Sequence, residues 1–323
     1  MNLITQIGQL TLPNPLLIAS GCGGSGREIA PFVDLSRLGA FVTPSVMLQP
    51  RAGRPTPRLV ETPSGMLTAL GLPGPGVEGF LERDLPWLAG QEARTVVSVG
   101  GNSVAEFGEI ARQIDASPIP VAAVEVNVAC PNAEDRGRMF AWSPSASAEV
   151  VRAVRTVTRR ETPVLAKLSP DVTDIVTIAL ACADAGATGI SLINTMAGLA
   201  VDPVTLRPVL TGVSGGLSGP ALKPVALRCV YQVHSALPGL PIIGCGGAAT
   251  GRDVLEFIAA GASAVAVGTT LMHDPSAALR ILRELEDALT ARSINRVRDA
   301  VGLAHRPAGY VPPQFKTPVE EKL

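Results

Sequence analysis

Cys130 stands in the densest polar run of the chain, Asn127-Val128-Ala129-Cys130-Pro131-Asn132, directly after an apolar stretch rich in β-formers. A thiol ionises at about pH 8.5 in its free state, so it can serve as a nucleophile or general base wherever its surroundings favour the thiolate. Two flanking amides able to donate and accept hydrogen bonds set Cys130 apart from Cys182, Cys229 and Cys245, which read as buried, inert residues. Lys167 closes a second apolar run, Val164-Leu165-Ala166-Lys167-Leu168, where a cation must find an anionic partner or lose its charge. An electron-rich ring or a phosphate would satisfy it, as would a Schiff-base role or a plain ion pair. Two glycine turns, Gly244-Cys245-Gly246-Gly247 and Gly268-Thr269-Thr270, allow backbone N–H groups to approach an anion closely, which suits a phosphate. The three histidines, His234, His273 and His305, do not cluster along the pattern, so neither a metal site nor a Ser-His-Asp arrangement is expected.

These groups need a frame, and the hydrophobic pattern supplies one. Short β-rich runs are predicted at Pro15–Ala19, Ala40–Leu48, Thr95–Val99, Ala122–Val128, Val164–Leu168, Gly189–Asn194, Pro241–Gly244 and Ala264–Gly268. Amphipathic helices are predicted near Ser103–Ile114, Ala146–Arg159, Val172–Ala185, Pro220–Ser235, Gly251–Ala260 and Pro275–Ala291, several opened by Ser, Asp or Thr. Eight alternating βα units imply an α/β fold closed as a (β/α)8 TIM barrel, with a doubly wound sheet as the competitor. Barrel chemistry sits where strands give way to loops, and the residues there are small, polar or ionisable. Two connections, Gln49 to Gly76 and Thr195 to Gly219, are long enough to act as lids over that mouth. Leu3–Ile7 and Gln9–Leu12, separated by Gly8, read as an N-terminal β-hairpin able to plug the opposite end. Residues 1–308 are expected to form one domain, and 309–323, with three prolines, a loose tail.

Composition narrows the partners. The 323 residues carry 27 Lys and Arg against 28 Asp and Glu, a net charge of −1, so no basic surplus is available for a nucleic-acid backbone. Aromatic residues make up 3%, too few for base-stacking platforms, and 46% hydrophobic residues favour a packed core over disorder. No apolar run reaches a membrane span, and the start Met1-Asn2-Leu3-Ile4 lacks the pattern of a secretory signal. Five scattered cysteines without a CxxC spacing argue against disulfides, structural zinc or a resident iron–sulfur cluster and fit a reducing cytoplasm.

Taken with their order, these segments resemble the dihydroorotate dehydrogenase family, and its class 1B catalytic subunit in particular, over about residues 5 to 292. The strings that carry the likeness are Ala19-Ser20-Gly21 with Gly26-Arg27-Glu28, Pro57-Arg58 through Gly71-Leu72, Leu85-Pro86-Trp87-Leu88, and Asn127 to Asn132. They continue through Lys167-Leu168-Ser169-Pro170, Ile193-Asn194-Thr195 and GGLSGPALKP at 215–224 to the two glycine turns. The resemblance implies FMN held by Ala19, Ser20, Ser45, Asn127, Lys167, Ile193, Gly219, Gly246, Gly247, Gly268 and Thr269. It implies that Cys130 removes the C5 proton of a dihydropyrimidine while the C6 hydride passes to flavin N5, in the dihydroorotate-to-orotate step of pyrimidine biosynthesis. Asn127, Asn132, Asn194, Thr195, Thr68, Gly71 and Leu72 would contact the substrate, and Lys167 the flavin N1–C2 edge. A homodimer and a separate FAD/iron–sulfur electron-transfer subunit are implied, without metal, nucleic acid or membrane anchor.

The chain also departs from that pattern. Pro44 replaces a lysine, Thr68 and Gly74 replace asparagines of the lid, and Ser98 replaces an asparagine that contacts flavin. Asp135-Arg136-Gly137-Arg138 is more charged than the usual cysteine loop. Arg54, at a normally uncharged lid position, is a candidate to bring a guanidinium to the substrate carboxylate. The alternatives left open are an FMN oxidoreductase of the same family with a different substrate, a flavin-binding subunit without turnover, and a flavin-free lyase using Lys167.

Overall fold

The computed structural model describes residues 1–132, 135 and 138–306. Eight parallel strands close in chain order: β1 (Leu16–Ile18), β2 (Ala40–Val42), β3 (Thr95–Val99), β4 (Ala123–Asn127), β5 (Val164–Leu168), β6 (Gly189–Leu192), β7 (Ile242–Cys245) and β8 (Ala264–Val267). The decisive pairing is β8 with β1, Val265 opposite Leu16 and Val267 opposite Ile18, which excludes an open doubly wound sheet. The fold is the expected (β/α)8 barrel.

Strand alternation sorts the buried residues into two separate sets. Leu16, Ile18, Val124, Val126, Val164, Ala166 and Leu168 point outward, into the layer shared with the surrounding helices. Leu17, Ala40, Val42, Val96, Ala123, Leu165, Ile243 and Ala264 point inward and fill the lower barrel. One period further along, the same inward parity carries Ser98, Glu125, Asn127, Lys167, Ser191 and Cys245, so a polar floor lies on top of an apolar layer.

The hairpin forms as expected, Thr5–Ile7 against Leu10–Leu12, with Gly8 in the left-handed region at the turn. Ile7 and Leu12 join the inward set, sealing the end where the strands begin. Each full burial contributes about 1.5–3 kcal/mol.

Helix starts follow their sequence signals. Ser103 accepts from the Glu106 N–H at the head of Val104–Asp115, and Thr250 and Asp253 form a reciprocal capping box on Gly251–Ala259.

The expected strand Ala40–Leu48 ends at Val42, because Pro44 has no N–H to give a ladder. Gly189–Asn194 likewise stops at Leu192. The two long connections were expected as loops, yet they pair: Met196–Gly198, Gly215–Ser218, Gly65–Thr68 and Leu59–Thr62 form, in that order, an antiparallel four-stranded sheet. Leu59–Thr62 and Gly65–Thr68 form a local hairpin, but its partner Gly215–Ser218 lies about 150 positions away, so no local pattern announced the sheet. Glycine is required at Gly65, where a Cβ would run into the Ser218 carbonyl. The expected tail at 309–323 lies outside the described residues, and among those described no helix is long and apolar enough to cross a membrane.

Candidate active site

A cavity of about 640 Å³ opens at the C-terminal ends of the strands, roofed by the four-stranded sheet. Its wall includes Ala19, Ser20, Ser45, Asn127, Lys167, Ile193, Asn194, Thr195, Thr68, Gly71, Leu72, Gly219, Gly246, Gly247, Gly268 and Thr269. Residues scattered over 250 positions thus meet in one space, as the strand-end rule anticipates. The departures Pro44, Thr68, Gly74 and Ser98 line it too.

One wall is a chain of hydrogen bonds. Asn194 donates from Nδ2 to Asn127 Oδ1 at 3.0 Å, Asn127 Nδ2 donates to Ser45 Oγ at 3.0 Å, and Ser45 and Ser98 share a bond at 3.0 Å. Asn127 is fixed further by the Ala129 N–H at 3.2 Å, and Asn194 by the Thr195 N–H at 2.8 Å. Two amides locked in this way keep a defined donor and acceptor polarity on their remaining edges.

The floor is ionic. Lys167 is 7% exposed, and Glu125, 2% exposed, accepts from Ser191 Oγ at 2.8 Å. Burial works against the Lys167 charge, but neighbouring groups, Cys245 first and Glu125 next, outweigh that effect and hold the ammonium above the usual lysine range.

Cys130 is 1% exposed and does not itself line the cavity. It lies one layer behind the wall: a Cβ placed on Gly100 would touch Cys130 Sγ at 3.2 Å, Met47 Sδ at 3.0 Å and Ser45 Cβ at 3.4 Å, and both Met47 and Ser45 do line it. Burial pushes the thiol up to about 12, against the opposing pull of the Gly101 N–H and of the Arg51 guanidinium. Both opposing groups stabilise a thiolate, which is the species a proton abstraction needs.

The two glycine turns converge with Gly219. Gly219, Gly246 and Gly247 all have positive φ, and a Cβ on Gly247 would meet the Gly219 carbonyl at 2.7 Å and the Lys223 N at 2.9 Å. An adjoining hollow of about 410 Å³ shares Gly219, Gly247 and Thr269 with the main cavity and adds Ser64, Gly65 and Thr270. Thr269 Oγ1 donates to Ser218 Oγ at 2.8 Å, tying the roof to this corner. A backbone cradle of this kind beside a cavity within the usual 300–1,000 Å³ range of ligand sites fits a flat ring carrying a phosphate.

Other expectations are corrected. Arg54 does not line the cavity; its Nη1 donates to the Gly212 carbonyl at 3.3 Å, where the Gly71 turn leaves it room, so it brings no guanidinium to a substrate here. Cys245 is not an inert core residue: at the end of β7 it faces inward, lines the cavity and contacts Lys167. Cys182 and Cys229 are buried as expected. His234 and His305 do meet, with ring centroids 4.8 Å apart, because the chain returns to the helix Lys223–Ala236 near its end; no group of three potential metal ligands exists among the described residues. The Asn132 side chain lies outside the described residues. Sequence reasoning missed Cys22 and Glu125 as cavity residues. Cys22 follows the end of the first strand by the same strand-end rule, and Glu125 shares the inward parity of Asn127.

Comparison with known proteins agrees with this geometry. The sequence model of a family described as "Dihydroorotate dehydrogenase" matches residues 2–289. The chain is 49% identical over 296 residues to "Dihydroorotate dehydrogenase B (NAD(+)), catalytic subunit" of Geobacter sp. (strain M21), covering 92% of this chain and 96% of that one. It is 50% identical over 303 residues to the protein of the same name from Desulforudis audaxviator (strain MP104C), covering 94% and 97%.

Proposed function

Because the chain belongs to the dihydroorotate dehydrogenase family, we propose that its cavity oxidises (S)-dihydroorotate to orotate in pyrimidine biosynthesis, with Cys130 as base and FMN as the resident flavin. The observation that carries the reading is half-identity, over nearly their whole length, to proteins named as catalytic subunits for that reaction. A changed substrate, suggested by Pro44, Thr68 and Gly74, is not favoured beside such relatives.

FMN would be held with its phosphate at Gly246, Gly247, Gly268 and Thr269 and its ring against Ala19, Ser20, Ser45, Ile193, Gly219 and Lys167, and would supply there an acceptor for the hydride of the substrate C6. The remaining work falls to side chains. Asn127 and Asn194, locked to each other, orient the pyrimidine amide edges, with Thr195, Thr68, Gly71, Leu72 and the Asn132 side chain as further substrate contacts. Cys130, which lies one layer behind the wall here, would have to reach the substrate to take the C5 proton; one proton and one hydride then leave adjacent carbons and a C5=C6 double bond remains. Lys167 places positive charge at the floor, where negative charge grows during the reaction.

The electrons then pass to a partner. We propose a separate subunit bearing FAD and an iron–sulfur cluster, which this chain's cysteine spacing cannot hold, within a cytoplasmic assembly built on a homodimer of this chain.

Anaerobic addition of dihydroorotate to the yellow holoenzyme is expected to bleach the flavin band within seconds, recorded by stopped-flow absorbance. A protein that stays yellow sinks the proposal. The pH profile provides a second expectation. The thiolate is the reactive form and burial raises the thiol toward 12, so kcat/KM should climb with pH through the neutral range and show no plateau below about pH 8.5. A profile flat from pH 6 upward would remove a buried thiol as the base.

A further inference from the structure

Glu125 is a buried charge that the proton transfer above does not use. It is 2% exposed, it lines the cavity, and its Oε1 has no hydrogen-bond partner among the described residues, while Oε2 is anchored by Ser191 at 2.8 Å. An unpaired buried carboxylate oxygen is costly, so such a group persists where its charge serves something else.

Strand register places it beside Lys167. In the β4–β5 pair Glu125 lies opposite Leu165 and Asn127 opposite Lys167, so Glu125 and Lys167 face inward on neighbouring strands, one period apart along the barrel. The titratable groups that face Lys167 are Cys245 from β7, Glu125 from β4 and Cys22 from the segment after β1. Glu125 is the carboxylate among them. The Cys22 thiol, pushed up to about 12 by burial first and by Cys245 next, is uncharged at neutral pH. A lysine so deeply buried gives up its proton unless an anion stands nearby.

We propose that Glu125 is a positioning residue, the fixed counter-charge that keeps Lys167 an ammonium beneath the bound flavin. It acts through space, with one oxygen held by Ser191 and the other left facing the cavity floor. The proposal rests on the reading that FMN occupies this cavity.

Sulfite titration of the holoenzyme tests it without turnover. Sulfite donates its sulfur lone pair to form a bond with flavin N5; no oxidant is consumed, and the negative charge settles on the N1–C2 side of the ring, where Lys167 is proposed to lie. In the wild type, affinity between pH 6.5 and 10 is expected to follow the ionisation of sulfite alone. In Glu125→Gln an added one-proton step is expected in that range, with affinity falling by up to about tenfold per pH unit once Lys167 discharges. In Glu125→Gln with Lys167→Arg the step is expected to vanish, because a guanidinium stays charged.

A Glu125→Gln profile identical to the wild type, or displaced equally at every pH, overturns the proposal. A doubly substituted Cys22→Ser, Cys245→Ser holoenzyme, which retains Glu125, tests it independently should Glu125→Gln fail to fold. No added step supports Glu125 as the counter-charge, and an added step assigns that role to a thiolate and overturns it. A chain that takes up no FMN overturns the functional reading as well, whereas a sulfite-reactive flavin with an unaltered Glu125→Gln profile overturns this inference alone.

Discussion

Cys130→Ala is expected to lower turnover with dihydroorotate by about 10²- to 10⁴-fold, the usual contribution of a positioned acid or base, while FMN stays bound. The two halves of that result come from different parts of the structure. Asn127 and Asn194 hold each other, and the glycine cradle is built from Gly219, Gly246 and Gly247, so neither depends on the sulfur behind the wall. No other thiol takes its place: Cys22 and Cys245 stand at the floor beside Lys167. Flavin content from the visible spectrum and the rate of anaerobic flavin reduction measure the two halves separately. Turnover within fivefold of the wild type would remove Cys130 from the mechanism.

Gly247→Val should yield folded protein that has lost its flavin. The residue sits at φ +80, where a branched side chain is strained, and its Cβ would press on the Gly219 carbonyl and the Lys223 N, both backbone atoms that cannot rotate away. Relieving about 3 kcal/mol of such strain by moving the turn weakens cofactor binding about 100-fold. The readout is the ratio of visible to ultraviolet absorbance after gel filtration, with far-UV circular dichroism reporting the fold. Gly239→Ala, where a Cβ meets nothing within 4 Å, is the control and should remain yellow. Full flavin content in Gly247→Val would move the phosphate away from this corner.

Much of this molecule is legible in its residues because a barrel strand carries its instructions locally. Val164-Leu165-Ala166-Lys167-Leu168 forms β5 with the expected bounds, since an apolar run of that length has one stable use between two helices. The glycine turns after β7 and β8 are equally local, and they gather at one corner because those two strands pair side by side. The roof sheet was not legible: Gly65–Thr68 pairs with Gly215–Ser218 about 150 positions away, and each strand alone resembles a loop segment. Cys245 and Arg54 were misjudged for related reasons. A cysteine among glycines looks like filler until inward parity turns it toward Lys167, and the direction of a guanidinium depends on a carbonyl, that of Gly212, supplied from far along the chain. Glu125 was visible as a residue but not as a charge, because its meaning depends on which neighbours share the floor.

The hairpin stoppers the lower barrel with Ile7 and Leu12, and among the described residues the cavity lies at the opposite end, where the strands finish. If reactant and product both pass through that end, one has to depart before the next arrives. Anything that lingers there, orotate included, competes with the incoming molecule by simple obstruction.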